Sequence, residues 1–335
     1  MIHSAGPSDP NELDIARIRS GAGFADLRAS LLSGDLWPQC RTCHIRERVP
    51  ASRFRARSQL DSLLAGRVDP AHALPLRELR IEITMRCNLR CVYCGVSQPH
   101  YAPTEMSGER LDAIAEAARA LPRSVRIMLN GHGETTYHPG WLPFCEKIVA
   151  LGFRVRLTTN LARALKPEEA ACLARLEQIE VSVDTADAAL LRQLRRQVSI
   201  ATIVANIERI RAEAARQGVR GPAFAVSCGV FDANYSGLGE LAAFCVAQEI
   251  RKVTFWPLVK HADVPDARNV YPVPSLSPAE MRSAIDHVEQ ALAILRRARI
   301  KTVLAGGFLD DWRRTLGLRP SAATRLLQQA LNHVR

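Results

Sequence analysis

Cys87, Cys91 and Cys94 share one short run, Arg86-Cys87-Asn88-Leu89-Arg90-Cys91-Val92-Tyr93-Cys94-Gly95. The spacing is C-x3-C-x2-C, with an aromatic side chain just before the third cysteine. Three thiolates so spaced can hold three corners of a four-iron cluster and leave the fourth iron open to a ligand. An open iron points to chemistry more than to electron storage. The competing readings are buried free thiols and a structural zinc site. Zinc prefers C-x2-C pairs and a fourth ligand, which the run itself does not contain. A second chemical motif follows at Asn130-Gly131-His132-Gly133-Glu134-Thr135. Glycines permit a tight turn and close backbone approach, and a carboxylate beside them can accept hydrogen bonds from an ammonium group. A Gly-rich turn with a solvated glutamate is the plainer alternative.

These residues must be held at the ends of elements. Alternating or apolar runs predict strands over 79–85, 125–130, 153–159, 178–183, 223–231 and 252–259, and a short one at 302–305. Helices fall between them. Leu111, Ile114, Ala115, Ala118 and Leu121 share one face of the first, and Ile203, Val204, Ile207, Ile210 and Ala214 share one face of a later one. Met281, Ile285, Val288, Leu292 and Leu295 mark the helix after the sixth strand, and two more helices are expected near 308–317 and 320–334. Strands each followed by a helix imply a parallel sheet, and in such folds chemistry sits where strands end and loops begin.

Read at those ends, the third strand offers Asn160, a ligand contact or a turn cap. The fourth offers Ser182 and Asp184, which alternation places on one face; Asp184 is equally an N-cap for a helix over 187–196. Cys228 in the fifth strand reads first as a small buried thiol. Trp256, ending the sixth, lines a pocket or belongs to the core. His261 follows as a candidate substrate contact.

Together these features resemble the radical S-adenosylmethionine (radical SAM) enzymes. The resemblance implies an α/β fold, a partial (β/α)6 barrel of the TIM type, over about 75–305, with a mostly helical extension before it (1–74) and C-terminal helices after it (306–335). It implies that Cys87, Cys91 and Cys94 bind a catalytic [4Fe-4S] cluster. The open iron of that cluster chelates the amino and carboxylate groups of S-adenosylmethionine, and one electron then breaks a sulfur–carbon bond. The Gly131–Thr135 segment resembles the family's G-G-E-P motif, with His132 and Thr135 as departures, and Leu157–Asn160 resembles its T-N-G segment, with Leu161 and Ala162 where glycine is usual. By the same resemblance Tyr93, Gly131, Gly133, Glu134, Asn160, Ser182, Asp184 and Trp256 would contact S-adenosylmethionine, and one of Arg192, Arg195 or Arg196 would approach its carboxylate. A doubly wound sheet also fits the alternation; the cysteine motif decides against it.

Upstream, Cys40 and Cys43 form a C-x2-C pair before His44. This segment resembles the SPASM or twitch modules of radical SAM maturases, which carry auxiliary clusters and usually follow the barrel. Three readings stay open: a second cluster completed by distant ligands, a zinc site, or a degenerate module without metal.

Composition narrows the class. The chain has 335 residues, 47 % hydrophobic and 24 % charged, as in ordinary globular domains. No apolar run approaches a membrane span, and no basic region followed by an apolar core opens the sequence. Nine cysteines without such a leader suggest a reducing compartment, the cytoplasm. The net charge of +11 is spread over arginine-rich helices, and aromatic content is 5 %. That favours a solvated basic surface over nucleic-acid binding. The expected function is reductive cleavage of S-adenosylmethionine to a 5′-deoxyadenosyl radical that modifies a peptide or a small metabolite. The expected partners are that substrate and a reductant such as flavodoxin or ferredoxin. The rivals are 3-amino-3-carboxypropyl transfer, RNA modification, and a non-enzymatic iron–sulfur protein.

Overall fold

The computed structural model describes residues 76–258 and 270–319, together with Asp26, Leu27, Ser30, Ser33, Asp35, Leu36 and Trp37. Seven strands lie side by side in chain order: β1 (Glu78–Ile81), β2 (Arg126–Leu129), β3 (Arg154–Thr159), β4 (Gln178–Ser182), β5 (Ala223–Val230), β6 (Lys252–Pro257) and β7 (Lys301–Leu304). From β3 to β7 each neighbouring pair runs parallel. Every strand is followed by at least one helix: α1 (Gly108–Ala118), α2 (Trp141–Ala150), α3 (Pro167–Leu173), α4 (Ala188–Arg195) and α5 (Ile200–Gln217), α6 (Leu238–Ala247), α7 (Pro278–Arg297), α8 (Phe308–Thr315). The sheet is open, an α/β partial barrel, and the short strand expected at 302–305 is its seventh member. The N-terminal helical segment with Cys40 and Cys43, the candidate His261 and the helix expected at 320–334 lie outside the described residues.

The described chain divides into two compact units. One comprises Met1–Arg80, Met106–Ile127 and Pro143–Arg154; the other comprises Ile81–Glu105, Met128–Leu142 and Val155–Arg335. In the first, Ser107 caps α1 by accepting from Arg110 N at 3.2 Å, and the helix buries Leu111, Ile114, Ala115 and Ala118. In the second, strand alternation sorts the sheet faces. Val155, Leu157, Ile179, Val181, Val226, Val253 and Phe255 are buried, while their neighbours Thr158, Glu180, Ser182 and Ser227 are only partly so. Helix α7 starts in a Ser277–Glu280 capping box with Pro278 at its first position. Helix α5 stops at Gly218, whose φ of 66° is open to glycine at little cost.

One boundary differs in an informative way. The first strand, expected over 79–85, leaves the ladder after Ile81, where Asn130 N donates to Ile81 O at 3.2 Å. Beyond that point β2 has turned into its glycine loop, so no neighbouring strand remains to pair with. Thr84 instead makes an isolated antiparallel bridge to Glu105. The chain from Met85 is thereby free to form the cysteine loop.

Candidate active site at the carboxyl ends of β1 to β5

All the described site candidates fall in the second unit. The cysteine loop is anchored through its backbone. Met85 N donates to Thr104 O at 2.8 Å, Arg86 N to Thr84 Oγ1 at 3.0 Å, and Val92 N to Leu194 O at 2.9 Å. A 3₁₀ turn over Gly95–Ser97 closes the loop behind Cys94. The sulfurs of Cys87 and Cys91 make long contacts. Leu89 N donates to Cys87 Sγ at 3.4 Å, Asn160 Nδ2 approaches the same sulfur at 3.9 Å, and Cys91 Sγ lies 3.8 Å from Arg195 O. Burial pushes all three thiols up, Cys91 to about 12, while the Arg195 guanidinium pulls the other way. The same electrostatics place Cys91 within reach of both other thiols.

The donor set is all sulfur, which suits iron–sulfur chemistry. Among the described residues no three His, Cys, Asp or Glu side chains converge closely enough for one metal ion. A cluster of several irons takes each thiolate on a different iron, so its ligands stand further apart than those of a mononuclear site.

The glycine loop fits against this loop by contact. A Cβ on Gly133 would meet Arg86 O at 2.5 Å and Met85 C at 2.7 Å, and would also strike Thr84 O. A Cβ on Gly131 would strike the Glu82 side chain. Gly133 needs glycine for space because it meets backbone, whereas at Gly131 the obstacle is a flexible side chain that can move aside. Glu134 N donates to Arg86 O at 2.8 Å.

Glu134 is buried, 4 % exposed, and its carboxylate carries four donors. Oε1 accepts from Thr136 N at 3.1 Å, Thr136 Oγ1 at 2.8 Å and Thr159 Oγ1 at 2.8 Å; Oε2 accepts from Asn160 N at 2.7 Å. Three of these donors meet Oε1 and one meets Oε2, all of them from its own loop and the end of β3. Asn160 continues the chain of contacts, donating from Nδ2 to Asn88 Oδ1 at 2.9 Å. Its own Oδ1 accepts from Ala162 N at 2.9 Å, so it is both a turn cap and a neighbour of Cys87.

Leu161 has a φ of +47°, the left-handed region where an L side chain costs about 1–2 kcal/mol. That conformation accounts for glycine at the matching place in the T-N-G segment. Here a buried residue from α5 holds the turn. Asn206 donates to Leu161 O at 3.0 Å and Arg163 O at 2.7 Å, and accepts from Leu165 N at 3.1 Å. Arg163 adds a two-pronged pair to Glu169, both contacts 2.7 Å, and donates to Thr136 O at 3.0 Å. Neither Asn206 nor Arg163 was visible as a site residue in the sequence. An asparagine in the middle of the apolar face of α5 was the available signal, since a buried polar group needs partners.

Asp184 is 1 % exposed and is no helix cap; Asp187 caps α4, accepting from Leu190 N at 2.6 Å. Asp184 pairs instead with Arg195 Nε at 2.7 Å, accepts from the Tyr93 hydroxyl, and accepts from Gly229 N at 2.9 Å. Asn234 Nδ2 donates to Asp184 O at 2.8 Å. Burial works against the Arg195 charge, yet Asp184 holds its pKa well above the ordinary value; burial raises Tyr93 well above its own. The Tyr93 ring lies 5.4 Å from that of Phe231. Of the three arginines in this stretch, Arg195 is thus committed to a protein carboxylate.

Ser182 sits partly exposed opposite Ser227 in the β4–β5 register. Cys228 is fully buried on the Val226–Val230 face, a core thiol. Trp256 is 40 % exposed opposite Gly229, which removes it from the core. No disulfide joins any of the seven described cysteines, and among the described residues no helix is long and apolar enough to cross a membrane.

Residues 81–221 match the family model of the radical SAM superfamily. The chain is similar to GTP 3′,8-cyclase of Pseudomonas fluorescens, 33 % identical over 138 residues, which is 40 % of this chain and 41 % of that protein. It is also similar to a probable GTP 3′,8-cyclase of Methanothermobacter marburgensis, 33 % identical over 138 residues, 41 % of this chain and 45 % of the other. The chain thus matches less than half the length of these curated relatives. The crystal structure of Streptococcus suis SuiB bound to S-adenosylmethionine superposes with a TM-score of 0.51 at 16 % identity, over 84 % of this chain and 61 % of SuiB. That likeness is one of fold.

Proposed function

We propose that this chain, whose residues 81–221 belong to the radical SAM superfamily, uses Cys87, Cys91 and Cys94 to hold a [4Fe-4S] cluster and cleaves S-adenosylmethionine reductively to modify a peptide or small-molecule substrate. The observation that carries this reading is one of adjacency. The all-sulfur triplet abuts a glycine loop whose Gly133 fits only as glycine against the backbone of Thr84–Arg86, and an asparagine from the end of β3. When bound, the cluster and S-adenosylmethionine supply an electron and a 5′-deoxyadenosyl radical; the protein's tasks are binding, orientation and exclusion of side reactions. Gly131 and Gly133 let the ligand's methionine end approach backbone. Asn160 steadies the Cys87–Asn88 corner. Ser182 and Trp256 face the open side of the sheet, where the nucleoside end and the substrate would lie. Asp184, Arg195 and Tyr93 brace the cysteine loop from behind.

The identity to GTP 3′,8-cyclases favours a small-molecule reaction over RNA modification. A second reading, aminocarboxypropyl transfer, breaks a different sulfur–carbon bond. The test is an anaerobic assay of reconstituted protein with S-adenosylmethionine and dithionite. 5′-Deoxyadenosine that disappears in Cys91→Ala supports the radical reading. Methylthioadenosine moves the assignment to aminocarboxypropyl transfer. An intact cluster that never binds S-adenosylmethionine overturns both.

A further inference from the structure

We propose that Arg90, Arg192 and Arg196, exposed arginines that border the cysteine loop, form the docking face for an acidic one-electron carrier protein, an assignment that rests on the cofactor reading above. Two segments meet here, the cysteine loop and the region of α4. Residues 83–104 carry Arg86 and Arg90, residues 188–207 carry Arg192, Arg195 and Arg196, and neither stretch contains an aspartate or a glutamate. Arg195 is neutralised inside the protein by Asp184 at 2.7 Å, and Arg86 pairs with Glu105 at 3.4 Å. Arg90, Arg192 and Arg196 are exposed, and among the described residues none of them has a carboxylate partner. Arg90 donates only to carbonyls of its own loop, Cys87 O at 3.0 Å and Leu89 O at 3.1 Å.

These charges sit where an electron would enter. Val92 N donates to Leu194 O at 2.9 Å, and Cys91 Sγ lies 3.8 Å from Arg195 O. One layer of backbone thus lies between a thiol of the triplet and the exposed Arg196. Helix α4 ends there in two successive left-handed residues, Arg196 at φ +52° and Gln197 at φ +46°, a conformation unfavourable for L residues and one that gathers at functional sites. Arg195 is buried on one side of that turn and Arg196 exposed on the other. Basic side chains also favour a helix C-terminus for its own sake, but that accounts neither for Arg90, on another segment, nor for the strained turn. Reductive cleavage needs one electron from outside the chain. In that step one electron leaves the carrier and enters the cluster, and no bond forms or breaks. Transfer between proteins slows steeply with distance, so the carrier has to dock where the ligand loop comes nearest to solvent. An unpaired basic face attracts an acidic partner and speeds its encounter. Neither segment exposes a tyrosine, tryptophan or phenylalanine on which a nucleic-acid base could stack.

The test uses the full-length protein, reconstituted anaerobically, with a flavodoxin as the probe. Affinity is read by equilibrium titration of oxidised flavodoxin at low and at physiological salt. Electron transfer is read as bleaching of the cluster on mixing with reduced flavodoxin. Iron content, melting temperature and dithionite-driven cleavage of S-adenosylmethionine are measured alongside. Wild-type affinity is expected to fall as salt rises. Arg192→Glu combined with Arg196→Glu is expected to lower affinity roughly tenfold or more, and to slow reduction by flavodoxin by a similar factor relative to reduction by dithionite in the same variant. Gln193→Glu sets a negative charge on the exposed side of α4 between the two arginines. It is expected to lower affinity about threefold, with iron content, melting temperature and dithionite-driven cleavage unchanged. Affinity within about twofold of wild type in the double variant overturns the docking face alone. So does a double variant that loses affinity for S-adenosylmethionine while it keeps its affinity for flavodoxin. A short single-stranded RNA that binds wild type more tightly than flavodoxin does, and is lost in the double variant, gives the face to nucleic acid and overturns the proposal. Wild-type protein that never takes up a cluster overturns the cofactor reading, and the docking face falls with it.

Discussion

The loops that follow β2 and β3 and the loop that carries the cysteines lie against one another and are built in opposite ways. In the first pair, the main charged and amide groups are held by protein. Glu134 takes four donors, Arg163 grips Glu169 and Thr136, and Asn206 clamps the backbone of 161–165. In the cysteine loop the backbone is anchored just as firmly, yet the sulfurs of Cys87 and Cys91 contact only weak partners at 3.4–3.9 Å. Side-chain hydrogen bonds fix the first pair of loops, and bonding capacity is left on sulfur in the cysteine loop. A buried network that is fully satisfied specifies one geometry, so the closed side can serve as the template for the open one.

The sharpest way to break this contrast is to remove a sulfur. Cys91→Ala is expected to abolish iron binding, read as bound iron and visible absorption, and to lower product formation by roughly a thousandfold or more. Wild-type iron content in that variant would remove the cysteine loop from the chemistry.

Next comes the brace behind it. Asp184→Asn leaves the Arg195 guanidinium buried beside a neutral amide and should cost about 3–5 kcal/mol in denaturant unfolding. Adding Arg195→Met should recover part of that loss, because no buried charge then remains. A double variant as unstable as the sum of its parts would show that the two side chains do not act as a pair.

On the closed side, Asn206→Ala strips three hydrogen bonds from the 161–165 turn and should cost about 2–3 kcal/mol. Leu161→Gly removes the strained φ at the expense of a buried side chain. The two losses should sum to less than additive, since glycine no longer needs the clamp. Strict additivity would mean that Asn206 does not hold the strained turn.

The smallest effect is one of pH. Burial alone would raise Glu169, but Arg163 and the Lys166 backbone bring its pKa below the ordinary 4.5. A carboxylate so lowered contributes stability that is complete above its unfolded pKa and drains as pH falls toward the folded value. The melting temperature should therefore fall on acidification below about pH 4.5, and Glu169→Gln should flatten that part of the curve. An unchanged slope would leave the Arg163–Glu169 pair without thermodynamic weight.

Much of the architecture was legible in the chain because periodicity is local. Apolar alternation located β3 to β6 to within a residue or two, and the apolar faces of α1, α5 and α7 were visible at helical spacing. The end of β1 was not, because a strand stops where its neighbour leaves, and the departure of β2 at Gly131 is a fact about another segment. The site divided the same way. Cysteine spacing and the two glycines could be read directly. Asp184 could be read as a cap or as an inward carboxylate, and only the position of Arg195, eleven residues on, together with Tyr93 in a different loop, decided it. Asn206 carried no motif; it acquires its place from a segment more than forty residues away.

What the sequence determined by itself was the ligand chemistry, the alternation of strand and helix, and a turn of two glycines beside a carboxylate, since these follow from residue type and from spacing along one backbone. What the tertiary structure decided was which polar groups are already spent and which remain open. That depends on donors arriving from other strands: Glu134, readable in the chain only as an acidic residue beside two glycines, receives Thr159 Oγ1 and Asn160 N from the end of β3.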